Sequence, residues 1–355
     1  MNGRAVPIAC ALALFALGAL YWLGPLKPAS EYRSDQFLMD TLVSIKVYGD
    51  DPENLKAAVH KAYAEMRRIS DLADAFPKPG TAEAKASDVC RINAQAGKAP
   101  VRVDDDILAM LATAQKYGAL SEGAFDVTVG PLMDLWGFGG ENPRLPAAGR
   151  VKAALALVGS KDLVLNQQDH TAFLRKPGMK IDLGAVAKGY ATEKALQVLK
   201  DHGIEKALID AGGNIRVLGR NTRSAPWKIG IKDPRKSDAI VAVLQLEDAS
   251  AVTSADYYRG FEAGGKRYHH ILDPRTGYPA GHHMSVTVVT RDAGLADILS
   301  TIFFVLTPEK ALELADDMPG VELILISADG RIRHTRELRG KIQVQPGAGY
   351  HYDQG

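Results

Sequence analysis

The stretch KIDLGAVAKGYATEKALQVLKDHGIEKALIDAGGNIRVLG, residues 180–219, decides how this chain folds. With Met179 before it, its opening, 179–183, reads as a strand. From 184 to 202, Val186, Tyr190, Ala195 and Leu199 recur at helical spacing until Gly203 stops the helix. Residues 207–210 and 213–218 then read as strands. Working outward, strands are expected at 41–48, 163–174, 227–232, 241–246, 251–254, 267–272, 285–290 and 321–327, with 207–246 forming one sheet. Amphipathic helices are expected at 52–72, 104–123 and 294–304, and a loop at 76–86. Strands and helices in mixed order define an α+β fold and exclude a regular βαβ array.

The chain has 355 residues, enough for one large domain or two ordinary ones. A net charge of +1 without a Lys/Arg run argues against nucleic acid as a partner. Any anionic substrate must therefore be met by a local site. With only Cys10 and Cys90, neither a disulfide framework nor a thiolate metal site is expected. Residues 5–24 are almost wholly apolar, about the 20 residues that span a bilayer core. Tyr21 and Trp22 occupy the place where a signal peptide would carry small residues. The segment 1–28 therefore reads as an uncleaved membrane anchor in preference to a cleaved signal. Arg4 places the remainder of the chain outside the cytoplasm.

Three clusters carry chemistry. HHILDPRTGYPA, residues 269–280, gathers two imidazoles, a carboxylate and a guanidinium around a turn started by Asp273-Pro274 and ended by Gly277. His270 beside Asp273 has the composition of an acid/base pair, although a strand histidine is commonly structural. In ADILST, 296–301, Asp297 and Thr301 lie four apart, one face of a helix, an oxygen pair suited to Mg²⁺. The plainer reading is two polar residues on an amphipathic helix. KIDLGAVAKGY, 180–190, leads a strand through Gly184 into a helix N-terminus that can receive a phosphate. Equally, Asp182 could be an ordinary N-cap. Phe125, Trp136 and Phe138 read as packing residues.

Taken in order, these blocks resemble the ApbE family, the FAD:protein FMN transferases, over residues 32–335. The likeness extends to MDTLVSIKVYG (39–49), SDVCRIN (87–93), GAFDVTVGPLMDLWGFG (123–139), ALIDAGGNIRVLG (207–219) and AVTSADYYRGF (251–261). The resemblance implies a single ApbE-like, T-fold-related domain at 31–340, with mixed and antiparallel sheets, flanking helices, a preceding apolar helix and a 341–355 tail. Family members bind FAD and Mg²⁺ and transfer FMN to a threonine of a target protein through a phosphoester, releasing AMP. Targets are typically subunits of membrane electron-transfer complexes. That implies a domain on the periplasmic side of a bacterial inner membrane.

By matching motifs, the resemblance places Met39 and Phe76 against the flavin and Ala124, Phe125 and Asp126 in the FAD cleft. It assigns Asp182, Lys188 and Leu272 to the FAD pocket, and the metal to the Ala185 carbonyl, Asp297, Thr301 and the adjacent Ser300. His270 is implied as the proton acceptor for the acceptor threonine. Three positions depart from relatives: Asp40 where many carry glycine, Phe76 where some carry tyrosine, and Ser300 where some carry aspartate. FAD hydrolysis to FMN and AMP, or flavin binding without catalysis, are the competing readings.

Overall fold

A computed structural model describes residues 30–75, 87–138, 140, 142–345 and 349–353. In chain order the strands are β1 Ser30–Leu38, β2 Thr41–Gly49, β3 Val101–Arg102, β4 Leu163–Asn166, β5 Thr171–Leu174, β6 Lys206–Ala211, β7 Asn214–Leu218, β8 Trp227–Lys232, β9 Ile240–Leu246 and β10 Ser250–Ala255. There follow β11 Gly260–Ala263, β12 Lys266–His269, β13 Leu272–Asp273, β14 Tyr278–Pro279, β15 His283–Thr290, β16 Glu322–Ser327, β17 Arg331–His334, β18 Ile342–Val344 and β19 His351–Tyr352. The α-helices are α1 Pro52–Ala73, α2 Asp88–Ala94, α3 Asp105–Leu120, α4 Gly130–Trp136, α5 Ala148–Leu155, α6 Ala187–Asp201, α7 Ala293–Val305 and α8 Pro308–Asp316.

The backbone of the domain is a nine-stranded sheet ordered β1-β2-β6-β7-β10-β15-β16-β17-β19. Every neighbouring pair is antiparallel except β17 with β19. Alternation sets its two faces, since successive side chains point to opposite sides. Val43, Ile45, Val252, Val286, Val288, Leu323 and Leu325 face a core completed by α1, α6 and α7. Val217, Ala251, Val289, Ile324 and Ile326 face the other way, onto the small sheet β18-β9-β8. The central strands, covered on both sides, lose the polar alternation of an exposed strand. Helix α1 starts where Asp51 accepts from the Glu53 and Asn54 N–H groups, with Pro52 in the first turn.

The α+β architecture agrees with the sequence reading; helices α4, α5 and α8 and strands β1 and β17 have no counterpart in it, and four expected segments differ locally. Residues 207–246 do not form one sheet: β6 and β7 join the large sheet, while β8 and β9 lie beneath it. In β8 the buried side chains alternate strictly, so Trp227, Ile229 and Ile231 cover the large sheet and leave the opposite face to solvent. The expected strand at 163–174 is a hairpin, β4–β5, turned by Asn166, whose side chain accepts from the Gln168 and Asp169 N–H groups. Residues 179–183 make only a bridge between Lys180 and Val129. Their backbone donors go elsewhere, Ile181 N–H to Asn93 Oδ1 and Asp182 N–H to Val127 O.

The fourth difference is at the C-terminus. Residues beyond 340, expected as a tail, supply β18 and β19, anchored by the Tyr350 hydroxyl on Asp233 and the Tyr352 hydroxyl on His334. The apolar run 5–24 and the loop at 76–86, including Phe76, lie outside the described residues. Among the described residues no helix is long and apolar enough to cross a membrane.

Candidate active site at the α6–α7 crossing

Helices α6 and α7 meet closely because Gly189 has no side chain. A Cβ there would stand 2.3 Å from the Ala293 carbonyl oxygen and 2.6 Å from Asp297 Cβ. Contact at this distance lets Asp297, only 4 % exposed, accept the Gly189 N–H through Oδ2 at 2.8 Å. In a helix continued backward, that N–H would reach the Ala185 carbonyl. Here Val186 leaves the helical conformation at φ −133°, and the Ala185 carbonyl is freed from that bond. The second carboxylate oxygen, Oδ1, has Lys188 Nζ at 4.0 Å, too far for a hydrogen bond.

This arrangement answers whether a hard cation fits. A buried carboxylate with one oxygen anchored and the other without a hydrogen bond among the described residues, a released carbonyl, and Thr301 one turn along α7 are oxygen donors of the kind a hard cation takes. Ser300 is placed differently from Thr301. It is wholly buried, donates to the Asp297 carbonyl at 2.8 Å and shares a 2.8 Å hydrogen bond with Ser254 Oγ of β10. Its hydroxyl is occupied in tying α7 to the sheet.

The second wall is the segment after β12. His269 is spent on structure: Nε2 donates to the Ala280 carbonyl at 2.7 Å, and Nδ1 accepts from Ile271 N–H at 3.3 Å. His270 lies half-buried with its Nδ1–H on the Arg259 carbonyl at 3.3 Å, and among the described residues its Nε2 lone pair has no partner. Burial, then the Arg259 and His269 neighbours, push its pKa down to about 3. Asp273 is taken up within the turn, accepting from the Arg275 N–H and guanidinium at 2.9 Å. Trp136 fixes the same turn from below by donating to the Gly277 carbonyl at 2.9 Å.

Asp182 accepts the Gly184 N–H at 2.7 Å. Burial raises its pKa, offset in part by that N–H bond and by the Arg259 charge. Arg259 was not singled out in the sequence, yet it links the parts of the site. Its charge acts on both Asp182 and His270, and its guanidinium reaches Asp40 at 3.4 Å. Asp40 and Met39 form the β1–β2 turn with φ of 57° and 53°, the left-handed geometry that glycine adopts most easily. No local pattern in 251–261 marks Arg259; its partners are 219 and 11 residues away.

The remaining expected FAD contacts are buried or committed. Ala124 and Phe125 belong to the main core, and Leu272 packs with Leu132 and Trp136. Asp126 holds its own loop, accepting from Thr128 N–H at 2.8 Å, the Thr128 hydroxyl at 2.7 Å and Ser160 N–H at 2.7 Å. Beside Asp182, an open cleft is lined by Ala75, Cys90, Asn93, Gly130, Asp134 and Lys180. Lys180 is ion-paired with Asp134 at its rim.

Fold and site thus define an α+β domain with an oxygen-donor centre and a cationic, histidine-bearing wall. The ApbE family model matches residues 39–325. The chain is similar to the FAD:protein FMN transferase of Klebsiella pneumoniae, 34 % identical over 312 residues, covering 85 % of this chain and 93 % of the relative. It is similar to that of Treponema pallidum at 35 % over 329 residues, covering 88 % and 89 %. Among solved structures, the ApbE protein of Thermotoga maritima superposes with a TM-score of 0.80 at 34 % identity, over 88 % of this chain and 99 % of that one. The flavin transferase ApbE of Vibrio cholerae gives 0.76 at 28 % identity, over 88 % and 100 %. The chain belongs to the ApbE family.

Proposed function

We propose that this chain is an FAD:protein FMN transferase, moving FMN from FAD to a threonine hydroxyl of an acceptor protein and releasing AMP. The carrying observation is the Asp297–Gly189 contact, which frees the Ala185 carbonyl and sets a carboxylate beside Lys188 at a helix N-terminus. Relatives at 34–35 % identity that bear this name support the same reading.

Asp297, Thr301 and the Ala185 carbonyl would hold Mg²⁺, which supplies charge neutralisation at the pyrophosphate oxygens. Lys188 and Arg259 draw the pyrophosphate into the site by Coulomb attraction. Asp182 and the turn at Met39 bound the flavin end. His270, neutral and with Nε2 free, receives the threonine proton as the oxygen attacks phosphorus. The bound pyrophosphate raises the basicity of that ring, opposing the effect of Arg259. Water must be kept out, because the same in-line attack by water gives FMN and AMP.

The acceptor we assign is a subunit of a membrane electron-transfer complex. We place the catalytic domain on the periplasmic side of a bacterial inner membrane, with 5–24 as the anchor. The apolar length of that run and Arg4 before it support this placement. Mass spectrometry of the mature N-terminus tests the anchor, and loss of residues 1–28 would overturn it. The activity is tested by incubating the purified protein with FAD, Mg²⁺ and a threonine-bearing acceptor. Flavin fluorescence on the denatured acceptor is expected; FMN and AMP with an unlabelled acceptor would replace transfer by hydrolysis.

A further inference from the structure

Asn214 opens β7 with a side chain that is fully buried, and among the described residues neither its Oδ1 nor its Nδ2 has a hydrogen-bond partner. Buried amides are normally satisfied, so two orphaned atoms on one residue call for a physical reason. The register of the sheet locates them. Asn214 shares a face with Arg216, which reaches up to Glu193 of α6 at 2.8 Å, and with Leu218 of the helix-side core. That face lies under α6 and α7, both of which pack on β7.

Two contacts fix the level along the helices. At one end, Ser250 of β10 pairs with Arg216, whose partner Glu193 also accepts the Ala293 N–H at 2.7 Å. At the other, Ser254 of β10 meets Ser300 of α7. Four strand residues span about 13 Å and seven helical residues about 10 Å. Val252, the residue paired with Asn214, lies midway between those ends. Midway between 293 and 300 on α7 lies the turn of Ala296 and Asp297. The orphaned amide is therefore beneath the seam at which Asp297 grips Gly189.

We propose that Asn214 is a positioning residue for the divalent-cation site, holding the Asp297 turn from below through a buried water that its amide and the carboxylate share. One water uses both orphaned atoms, since it can donate one hydrogen to Oδ1, accept from Nδ2 and donate its second hydrogen to the carboxylate. Groups that orient a metal ligand in this way commonly alter metal affinity by roughly 10–100-fold when removed. The inference rests on Asp297 as a cation ligand.

The test titrates Mn²⁺ into the purified full chain by calorimetry, for wild type, Asn214→Leu, Asn214→Asp and Asp297→Ala, with thermal midpoints measured in chelator. Asn214→Leu keeps the shape and removes the amide. It is expected to weaken Mn²⁺ at least tenfold while the metal-free midpoint is unchanged or higher, because an apolar side chain of similar volume replaces the buried amide and its water together. Asn214→Asp, which retains an oxygen, is expected to bind Mn²⁺ within about threefold of wild type. A purely structural Asn214 would give the reverse for leucine, a lower metal-free midpoint with Mn²⁺ affinity within twofold, and that result overturns the proposal. If leucine does not fold, the aspartate variant decides, and a tenfold loss there overturns it. Normal Mn²⁺ binding by Asp297→Ala would instead remove the cation assignment on which the inference stands.

Discussion

At the scale of the residue, His270 is defined by what its two nitrogens do. Nδ1 is bonded to the Arg259 carbonyl and Nε2 has no partner among the described residues, so the neutral ring presents an open acceptor nitrogen whose basicity rises when the pyrophosphate binds. An unperturbed histidine would lose this role as pH falls through about 6.5. With its pKa pushed down to about 3 by burial and Arg259, the free protein keeps the base form far below that point. We expect kcat/KM for transfer to stay flat from pH 7.5 to 5.5. His270→Ala should lower kcat roughly 10²–10⁴-fold with FAD binding retained. An acid limb centred near 6.5, or a variant with full kcat, would remove His270 from the reaction. The HHILDPRTG block showed its histidines and acid in the sequence, but not their division of labour. His269 and Asp273 are structural because their partners, Ala280 and Arg275, happen to complete them.

At the scale of the element, the site depends on how α6 meets α7. Glu193 binds Arg216 and the Ala293 N–H together, which sets the start of α7 against α6 and carries Asp297 to Gly189 one turn on. Gly189→Ala puts a methyl inside the contact distance of Ala293 and Asp297, neither of which can move without shifting a helix. Overpacking of this kind costs about 1–3 kcal/mol. The variant should also lose its response to Mg²⁺, because separation of the helices returns the Gly189 N–H to Ala185. Calorimetric unfolding with and without Mg²⁺ reads both effects; wild-type stability would refute the crossing described here. The helices themselves were plain in the sequence within a few residues. The start of α6 was not, since 184–186 bend away only because Asp297 substitutes for an intrahelical acceptor.

At the scale of the whole molecule, the acid response follows from histidines buried as neutral rings. His283, 3 % exposed with Nε2 on the Leu306 carbonyl at 3.0 Å, is pushed down to about 4 by burial, and His269 is lowered for the same reason. The unfolded chain takes up these protons near pH 6.5 and the folded chain does not, so stability is constant above 6.5 and falls as pH drops toward 4. Each such group contributes a slope of at most about 1.4 kcal/mol per pH unit. Asp106 acts in the same direction at lower pH. Burial alone would raise it, but Arg68, Lys194 and Tyr190 bring it to about 2, so its contribution is lost as pH falls through that value. Asp182, with its raised carboxyl, works in the opposite sense. His283→Gln should flatten the fall in thermal midpoint between pH 6.5 and 4.5; an unchanged slope would place the acid sensitivity elsewhere.

What the sequence by itself determined is the class of fold, the chief helices and strands, and the residue types available for chemistry. Those are local properties, written in 3.6- and 2-residue periods and in turn chemistry. Tertiary structure alone decided that β8 and β9 form a second layer and that residues beyond 340 add β18 to it and β19 to the large sheet. It alone released the Ala185 carbonyl, recruited Arg259 to Asp182 and His270, and left the buried Asn214 amide without a partner among the described residues. Each is a contact between residues far apart in the chain. Its energy depends on a distance that no local pattern encodes and that packing sets, here by the missing side chain of Gly189.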